Sequence, residues 1–207
     1  MDRKISAQID GCNISEKAVF TSMRYTGKVV EKYEKKRANQ EKWKFEDLKV
    51  REYLNRALRG TSILDIPCGT GRFFSYYQKR YFKFIGMDIS PDMIERASKK
   101  TTYEDQVRLG NIFDIDTCTV FDVVVCIRFL NLIEPEDVTK ALKEMQRVGR
   151  RIIFTLRVKQ RHPLRHYHHA YPLSLIKKSL LPGWEISRNE RVHERDYRMI
   201  EVIDAMG

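Results

Sequence analysis

The chain has 207 residues, 42% of them hydrophobic and 32% charged, with a formal net charge of +11. That is enough chain for one domain with its own core and too little for two of ordinary size. No apolar run approaches the roughly 18–20 residues of a membrane span, and the start, Met1 to Asp10, lacks the apolar stretch of a signal peptide. A cytoplasmic protein is therefore expected.

The predicted elements begin with two helices. Lys28–Asn39 has no Gly or Pro, and Trp43–Leu58 carries Trp43, Leu48, Val50, Tyr53, Leu54 and Leu58 as its apolar set, with Gly60 as the stop. From residue 61 short apolar strands alternate with helices. Strands are expected at Ser62–Ile66, Phe82–Asp88, Val107–Gly110, Phe121–Cys126 and Arg151–Leu156. Helices are expected at Phe73–Arg80, from Ser90 to about Lys100, from Pro135 to about Val148, and at Pro172–Leu181. Ser90 is a suitable N-cap with Pro91 at the first helical position. Trp184–Val192 and Tyr197–Ile203 read as two last strands joined by a short link. They must pair antiparallel, because a parallel pair needs a crossover of about a dozen residues. Alternating strands and helices imply an α/β fold, a doubly wound, mostly parallel sheet covered on both faces. Residues 1–60 are expected as a helical lid on a Rossmann-like body, 61–207.

Cys12, Cys68, Cys118 and Cys126 have no C-x-x-C spacing. They are read as small buried apolar residues in a reducing compartment rather than as metal ligands. The charge is concentrated instead. From Met145 to Trp184 there is no acid, while Arg147, Arg150, Arg151, Arg157, Lys159, Arg161, Arg165, Lys177 and Lys178 fall in that window. Such a stretch favours an anionic partner.

The most informative segment is Ile63 to Arg72, a strand running into a turn with Gly69 and Gly71 and then into a helix. Glycines there allow a ligand to approach the backbone. The next strand ends in Asp88, 17 residues after Gly71, where an acid accepts from ribose hydroxyls, and Ile89 follows as a packing surface for a base. A third strand ends at Gly110-Asn111-Ile112. In a parallel sheet these ends share one edge.

Asp65-x-Pro67-Cys68-Gly69-Thr70-Gly71-Arg72, with Gly86-Met87-Asp88-Ile89-Ser90-x-x-Met93, resembles the class I S-adenosylmethionine-dependent methyltransferases. Within them it is most similar to the small methyltransferase-domain group, the ubiquinone/menaquinone methyltransferase-like enzymes. The likeness runs from about Ser62 to Leu156, and the final strand pair suits the family's sheet, whose last strand inserts antiparallel. It implies that Asp65, Gly69 and Gly71 surround the methionine part of S-adenosylmethionine and that Asp88 binds the ribose. It further implies that Ile89 and Met93 pack near the adenine, that Asn111 and Ile112 meet its far edge, and that Ile127 and Arg128 border the sulfonium. Asn111 stands where the family usually has an acid that accepts from the adenine amino group, a role its carbonyl oxygen is expected to keep, with Ile112 supplying a backbone N–H, and Pro67 replaces the family's first turn glycine. The product would be S-adenosylhomocysteine.

The acceptor side is read from two segments. Cys126 to Asn131 lacks the Asn/Asp-Pro-Pro-aromatic turn of exocyclic amino methylation of nucleic acid, and the one Pro-Cys lies in the cofactor turn, which argues against cytosine C5 chemistry. Asn131, where relatives often have His, does not titrate but orients an acceptor. Arg157 to Tyr171 holds four of the five histidines. No acid or cysteine accompanies them, so no metal site is read. Arg161 and Arg165 are expected to clamp an anionic substrate, with His166 or His168 as base. Tyr25, Tyr33 and Arg37 belong to the lid, Tyr25 toward substrate, Tyr33 toward the sulfonium through its ring face, and Arg37 toward the cofactor carboxylate.

The expected activity is methyl transfer to an O or N atom of a small or lipid-linked anionic acceptor. The alternatives are an RNA methyltransferase using 145–184 as a nucleic-acid track, protein methylation, and a non-catalytic cofactor-binding subunit.

Overall fold

The computed structural model describes residues 27–38, 40–113, 115, 118–159, 169–192 and 196–206. Among them the elements run α1 (Lys28–Ala38), α2 (Glu41–Leu54), β1 (Ser62–Asp65), α3 (Phe74–Lys79), β2 (Lys83–Asp88), α4 (Pro91–Ser98) and β3 (Val107–Leu109). They continue with β4 (Val123–Cys126), α5 (Pro135–Val148), β5 (Arg151–Arg157), α6 (Leu173–Ser179), β6 (Trp184–Arg191) and β7 (Tyr197–Asp204).

One seven-stranded sheet has the order β3-β2-β1-β4-β5-β7-β6. The first five strands are parallel, and β7 inserts antiparallel between β5 and β6, as expected. Side chains alternate between the faces of a strand, which divides the apolar runs between two cores. Leu64, Val124, Cys126, Ile152 and Phe154 pack under α5 and α6 with Leu142, Met145 and Ile176. Ile63, Val123, Val125, Ile153 and Met199 face the other way, onto Val50, Tyr53 and Leu54 of α2 and Phe74 and Tyr77 of α3. No helix among the described residues is long and apolar enough to cross a membrane.

The expected helix over Trp43–Leu58 is shorter than its apolar set implies. It ends at Leu54, and Leu48 and Leu58 are 63% and 78% exposed. Arg80 from the far end of α3 explains the stop, since its guanidinium donates to the Asn55 and Ala57 carbonyls at 3.0 and 3.1 Å. Gly60, at φ +86°, serves a later turn whose N–H donates to the Tyr81 carbonyl at 2.9 Å. Cys68 and Cys126 are buried as expected, but Cys118 is exposed; it lies in the loop before β4, outside both cores.

Because β1 to β5 are parallel, their carboxyl ends share one edge. That edge collects the turn after Asp65, Asp88 to Ser90, Gly110 to Ile112, Ile127 and Arg128, and the chain leaving Arg157. The sheet order reverses between β1 and β4, the place where open α/β sheets form their crevice.

Candidate active site at the switch point of the sheet

The glycine turn is tied to the neighbouring strand. The Cys68 N–H donates to the Met87 carbonyl at 2.8 Å and the Gly71 N–H to the Cys68 carbonyl at 3.1 Å. Gly69 and Gly71 have φ of +55° and +71°, where glycine is favoured. They differ in surroundings. A Cβ on Gly71 would lie 2.6 Å from Phe74 Cδ2, whereas a Cβ on Gly69 would meet nothing within 4 Å. Gly71 is fixed by packing, and Gly69 presents bare backbone to the crevice.

Asp88 holds this turn. Its Oδ2 accepts from the Gly69 N–H and its Oδ1 from the Ser90 N–H, both at 2.9 Å. Ser90 caps α4 as expected, its Oγ accepting from the Met93 N–H at 3.3 Å, with Pro91 next. Burial raises the Asp88 carboxyl above the usual range, against the backbone donors that hold it ionised. Asp65 is more deeply placed. Burial pushes it up to about 8, opposed by the Tyr77 hydroxyl, which donates to Oδ2 at 3.3 Å, and reinforced by the charge of Asp88. A cationic ligand beside these strand ends would favour the ionised form of both acids.

At the end of β3, Asn111 Oδ1 accepts from the Phe113 N–H at 3.1 Å, and its buried Nδ2 has no partner among the described residues. The carbonyl oxygen expected to accept from adenine is thus already taken by the Phe113 N–H, and the amide offers a donor instead. Met93 and Ile112 are buried, and Ile89 is partly buried beside Asp88.

After β4, Arg128 has φ +63°, and its N–H donates to Thr155 Oγ1 at 2.7 Å. Its Nε donates to Glu46 Oε2 at 2.7 Å, and Arg72 Nη1 reaches the same oxygen at 2.6 Å. Arg72 Nη2 also donates to the Trp43 carbonyl. So α2 is fastened to the residue after the glycine turn and to the residue after β4. Sequence reasoning missed Glu46, Trp43 and Thr155, and took Arg72 only as the end of a motif. Glu46 is one of four acids in α2, with Glu41, Asp47 and Glu52, so nothing local in the sequence sets it apart.

Helix α1 begins where the Gly27 N–H donates to Asp92 at the start of α4. Further along, Tyr33 packs edge-on to Trp43, centroids 5.7 Å apart, and the Arg37 guanidinium lies 4.4 Å from the Tyr33 ring centroid. The helix is thus tied at one end to the β2 side of the crevice and at the other to α2.

Asn131 has a different task from the one expected. Its Oδ1 accepts from the Arg157 N–H at 2.9 Å and its Nδ2 donates to the His169 carbonyl at 2.7 Å. Both ends of the amide are spent on backbone, so it holds the chain on either side of the basic segment instead of an acceptor. The Val158 N–H donates to the Asp196 carbonyl at 2.7 Å and the Tyr171 N–H to the Arg157 carbonyl at 2.8 Å. The segment between therefore leaves and returns at the carboxyl edge. Tyr25, Arg161, Arg165, His166 and His168 lie outside the described residues.

Comparison with known proteins agrees with this geometry. Residues 63–151 match a family model described as a methyltransferase domain. A curated relative, the dTDP-4-amino-2,3,4,6-tetradeoxy-D-glucose N,N-dimethyltransferase of Saccharopolyspora spinosa, is 35% identical over 68 residues, 33% of this chain and 27% of that protein. The chain thus spans about a quarter of the curated relative it matches. Among solved structures, magnesium protoporphyrin IX methyltransferase from Synechocystis PCC 6803 with bound S-adenosylmethionine superimposes with a TM-score of 0.71 at 16% identity, covering 93% of this chain and 99% of that one. The N-methyltransferase NodS of Bradyrhizobium japonicum WM9, in complex with S-adenosylhomocysteine, gives a TM-score of 0.65 at 16% identity, covering 80% and 89%. The fold is that of the class I methyltransferases.

Proposed function

We propose that this chain, whose residues 63–151 match a methyltransferase domain, binds S-adenosylmethionine in the β1–β4 crevice and transfers its methyl group. The acceptor is an N or O atom of a small or lipid-linked anionic molecule, and the product is S-adenosylhomocysteine. The observation that carries the reading is the Asp88 carboxylate at the end of β2, clasping the Gly69 N–H at 2.9 Å beside the buried Asp65. One group thereby shapes the turn and faces a ribose.

The residues fit the cofactor part by part. Asp88 retains free lone pairs for ribose hydroxyls, and Gly69 lets the chain approach without a side chain. Asn111 Nδ2 supplies a donor suited to a ring nitrogen of adenine, with Ile89, Met93 and Ile112 around it. Asp65, Gly71, Ile127 and Arg128 border the methionine part. When bound, the cofactor supplies an activated methyl on a sulfonium. The chain's own work is to align the acceptor with the S–CH3 bond and to exclude water. Helix α1, with Tyr33 and Arg37, covers the crevice for that purpose.

The acceptor's charge is inferred from the sequence of the basic segment, whose described ends, Val158 and His169, meet at the same edge; Arg161, Arg165, His166 and His168 from that segment, and Tyr25 from the N-terminal region, are the residues proposed to contact it. The amino-sugar and NodS relatives, both N-methyltransferases by name, support nitrogen as the acceptor atom. The test is methyl-labelled S-adenosylmethionine incubated with the protein and a fractionated lysate. Enzyme-dependent label in the small-molecule or lipid pool is expected. Label in RNA or protein overturns the acceptor class, and binding without transfer to any fraction makes the chain a cofactor-holding subunit.

A further inference from the structure

Two buried polar atoms on α2 have no hydrogen-bond partner among the described residues, Glu46 Oε1 and Trp43 Nε1. Glu46 is fully buried. Leaving a carboxylate oxygen buried without a donor is costly, and the arrangement around it fixes which oxygen is left. Arg72 and Arg128 both converge on Oε2, at 2.6 and 2.7 Å. Oε1 therefore remains a strong acceptor. Trp43 is three residues earlier, on the same face of the helix. Its ring lies between cations, with the Arg72 guanidinium 4.3 Å and the Arg37 guanidinium 5.5 Å from its centroid. A donor N–H beside two guanidiniums suits an anion, and an acceptor oxygen one helical turn away suits a cation. Since Glu46 bridges the residue after the glycine turn and the residue after β4, its carboxylate sits beside the ends of β1 and β4, with Trp43 one helical turn earlier against Arg72.

We infer that Trp43 and Glu46 form a receptor for the zwitterionic α-amino-acid end of the cofactor. Glu46 Oε1 accepts from the ammonium, and Trp43 Nε1 donates to the carboxylate, with Arg37 next to it. This rests on the crevice binding S-adenosylmethionine and adds an element outside the glycine turn, the second lid helix, as the reader of the amino-acid end. Through it the protein separates the intact cofactor and its homocysteine product from an adenosine thioether that lacks this end. Each contact is a hydrogen bond to a charged group, and such bonds contribute enough to change affinity by about tenfold or more.

The experiment is calorimetric titration of the full chain with S-adenosylhomocysteine and with 5′-methylthioadenosine, which keeps the adenosine and the thioether but has no amino-acid end. The variants are Glu46→Gln and Trp43→Phe. In Glu46→Gln the amide oxygen stays with the two guanidiniums, because an NH2 cannot face them, and the NH2 is left at the Oε1 position, opposing an ammonium. S-adenosylhomocysteine is expected to weaken by about tenfold or more in Glu46→Gln, and to a smaller extent in Trp43→Phe, with methylthioadenosine unchanged in both. Equal loss of both ligands, or no loss of either, overturns the assignment. If Glu46→Gln does not fold, as judged by thermal melting, Trp43→Phe decides by the same comparison, since the ring is kept. If the wild-type chain binds methylthioadenosine and S-adenosylhomocysteine with equal affinity, the crevice holds the adenosine half and the amino-acid receptor is refuted. If it binds neither, the cofactor reading itself fails.

Discussion

Replacing Asp88 by alanine removes a carboxylate with two tasks. It organises the turn, and on the reading above it holds the ribose. The first task can be sized from the structure. The Gly69 and Ser90 N–H groups each lose an acceptor at 2.9 Å in a place where Asp88 is only 7% exposed. Hydrogen bonds to charged groups contribute about 1.5–3 kcal/mol each, but burial already disfavours this carboxylate, and losing it returns part of that cost. A net stability loss of about 1–3 kcal/mol is expected. The second task appears separately, as a loss of cofactor affinity of about 1.5–3 kcal/mol, roughly 10–150-fold in Kd. Urea unfolding measures the first, and titration with S-adenosylhomocysteine, at a temperature where the variant remains folded, measures the second. Asp88→Asn separates them further, because it keeps one backbone acceptor while setting its NH2 against the other N–H. If Asp88→Ala binds S-adenosylhomocysteine as tightly as the wild type, the ribose assignment is refuted, however large the change in stability.

The two turn glycines predict opposite phenotypes. Gly71→Ala forces a Cβ to 2.6 Å from the buried Phe74 ring at φ +71°, and should cost about 2–5 kcal/mol in denaturant unfolding. Gly69→Ala has open space at φ +55°, so it should cost only about 1–2 kcal/mol of stability while weakening cofactor binding; intact affinity would place the cofactor elsewhere. Asp65 makes stability depend on pH. Its carboxyl is raised to about 8 from an ordinary 3.8, so the folded chain keeps a proton that the unfolded chain has lost, and stability falls as pH rises through that window. Asp65→Asn should flatten this slope, and an unchanged slope would mean that the group is ionised in the folded state. Asn131→Ala removes the side-chain hydrogen bonds to the Arg157 N–H and the His169 carbonyl and should destabilise by about 2–4 kcal/mol, with the S-adenosylhomocysteine Kd unchanged. A weakened Kd at full stability would instead put Asn131 at the cofactor.

The sheet and the residues at its carboxyl edge were legible because their signals are local. A four-residue apolar run such as Val123–Cys126 means a strand covered on both faces, and an acid closing such a run, as at Asp65 and Asp88, falls at a fixed edge once the strands are parallel. What escaped depends on distant partners. Helix α2 stops at Leu54, where Asn55 is a weak local signal and the Asn55 carbonyl is held by Arg80, 25 residues beyond it. Glu46 is joined to Arg72 and Arg128 across 26 and 82 residues, so in the sequence it looks like one more acid on a solvated helix.

The basic window shows the same limit from the other side. Counted along the chain, 145–184 is one positive stretch, yet it folds into a helix end, a central strand and a second helix that face different ways. Arg147 is taken up by Glu144 and the Ile115 carbonyl, Arg151 by Glu201 and the Tyr53 carbonyl, and Arg157 lies over Tyr197. Arg147 remains exposed even so, as do Arg150, Lys159, Lys177 and Lys178, so the window mixes cations engaged within the fold with cations open to solvent. Charge aimed at a ligand has to come from a segment that returns to the crevice. The described ends of the chain between Val158 and Tyr171 are pinned to Asp196, Arg157 and Asn131 at the carboxyl edge of the sheet, which is where the proposed function needs such a segment to start and finish.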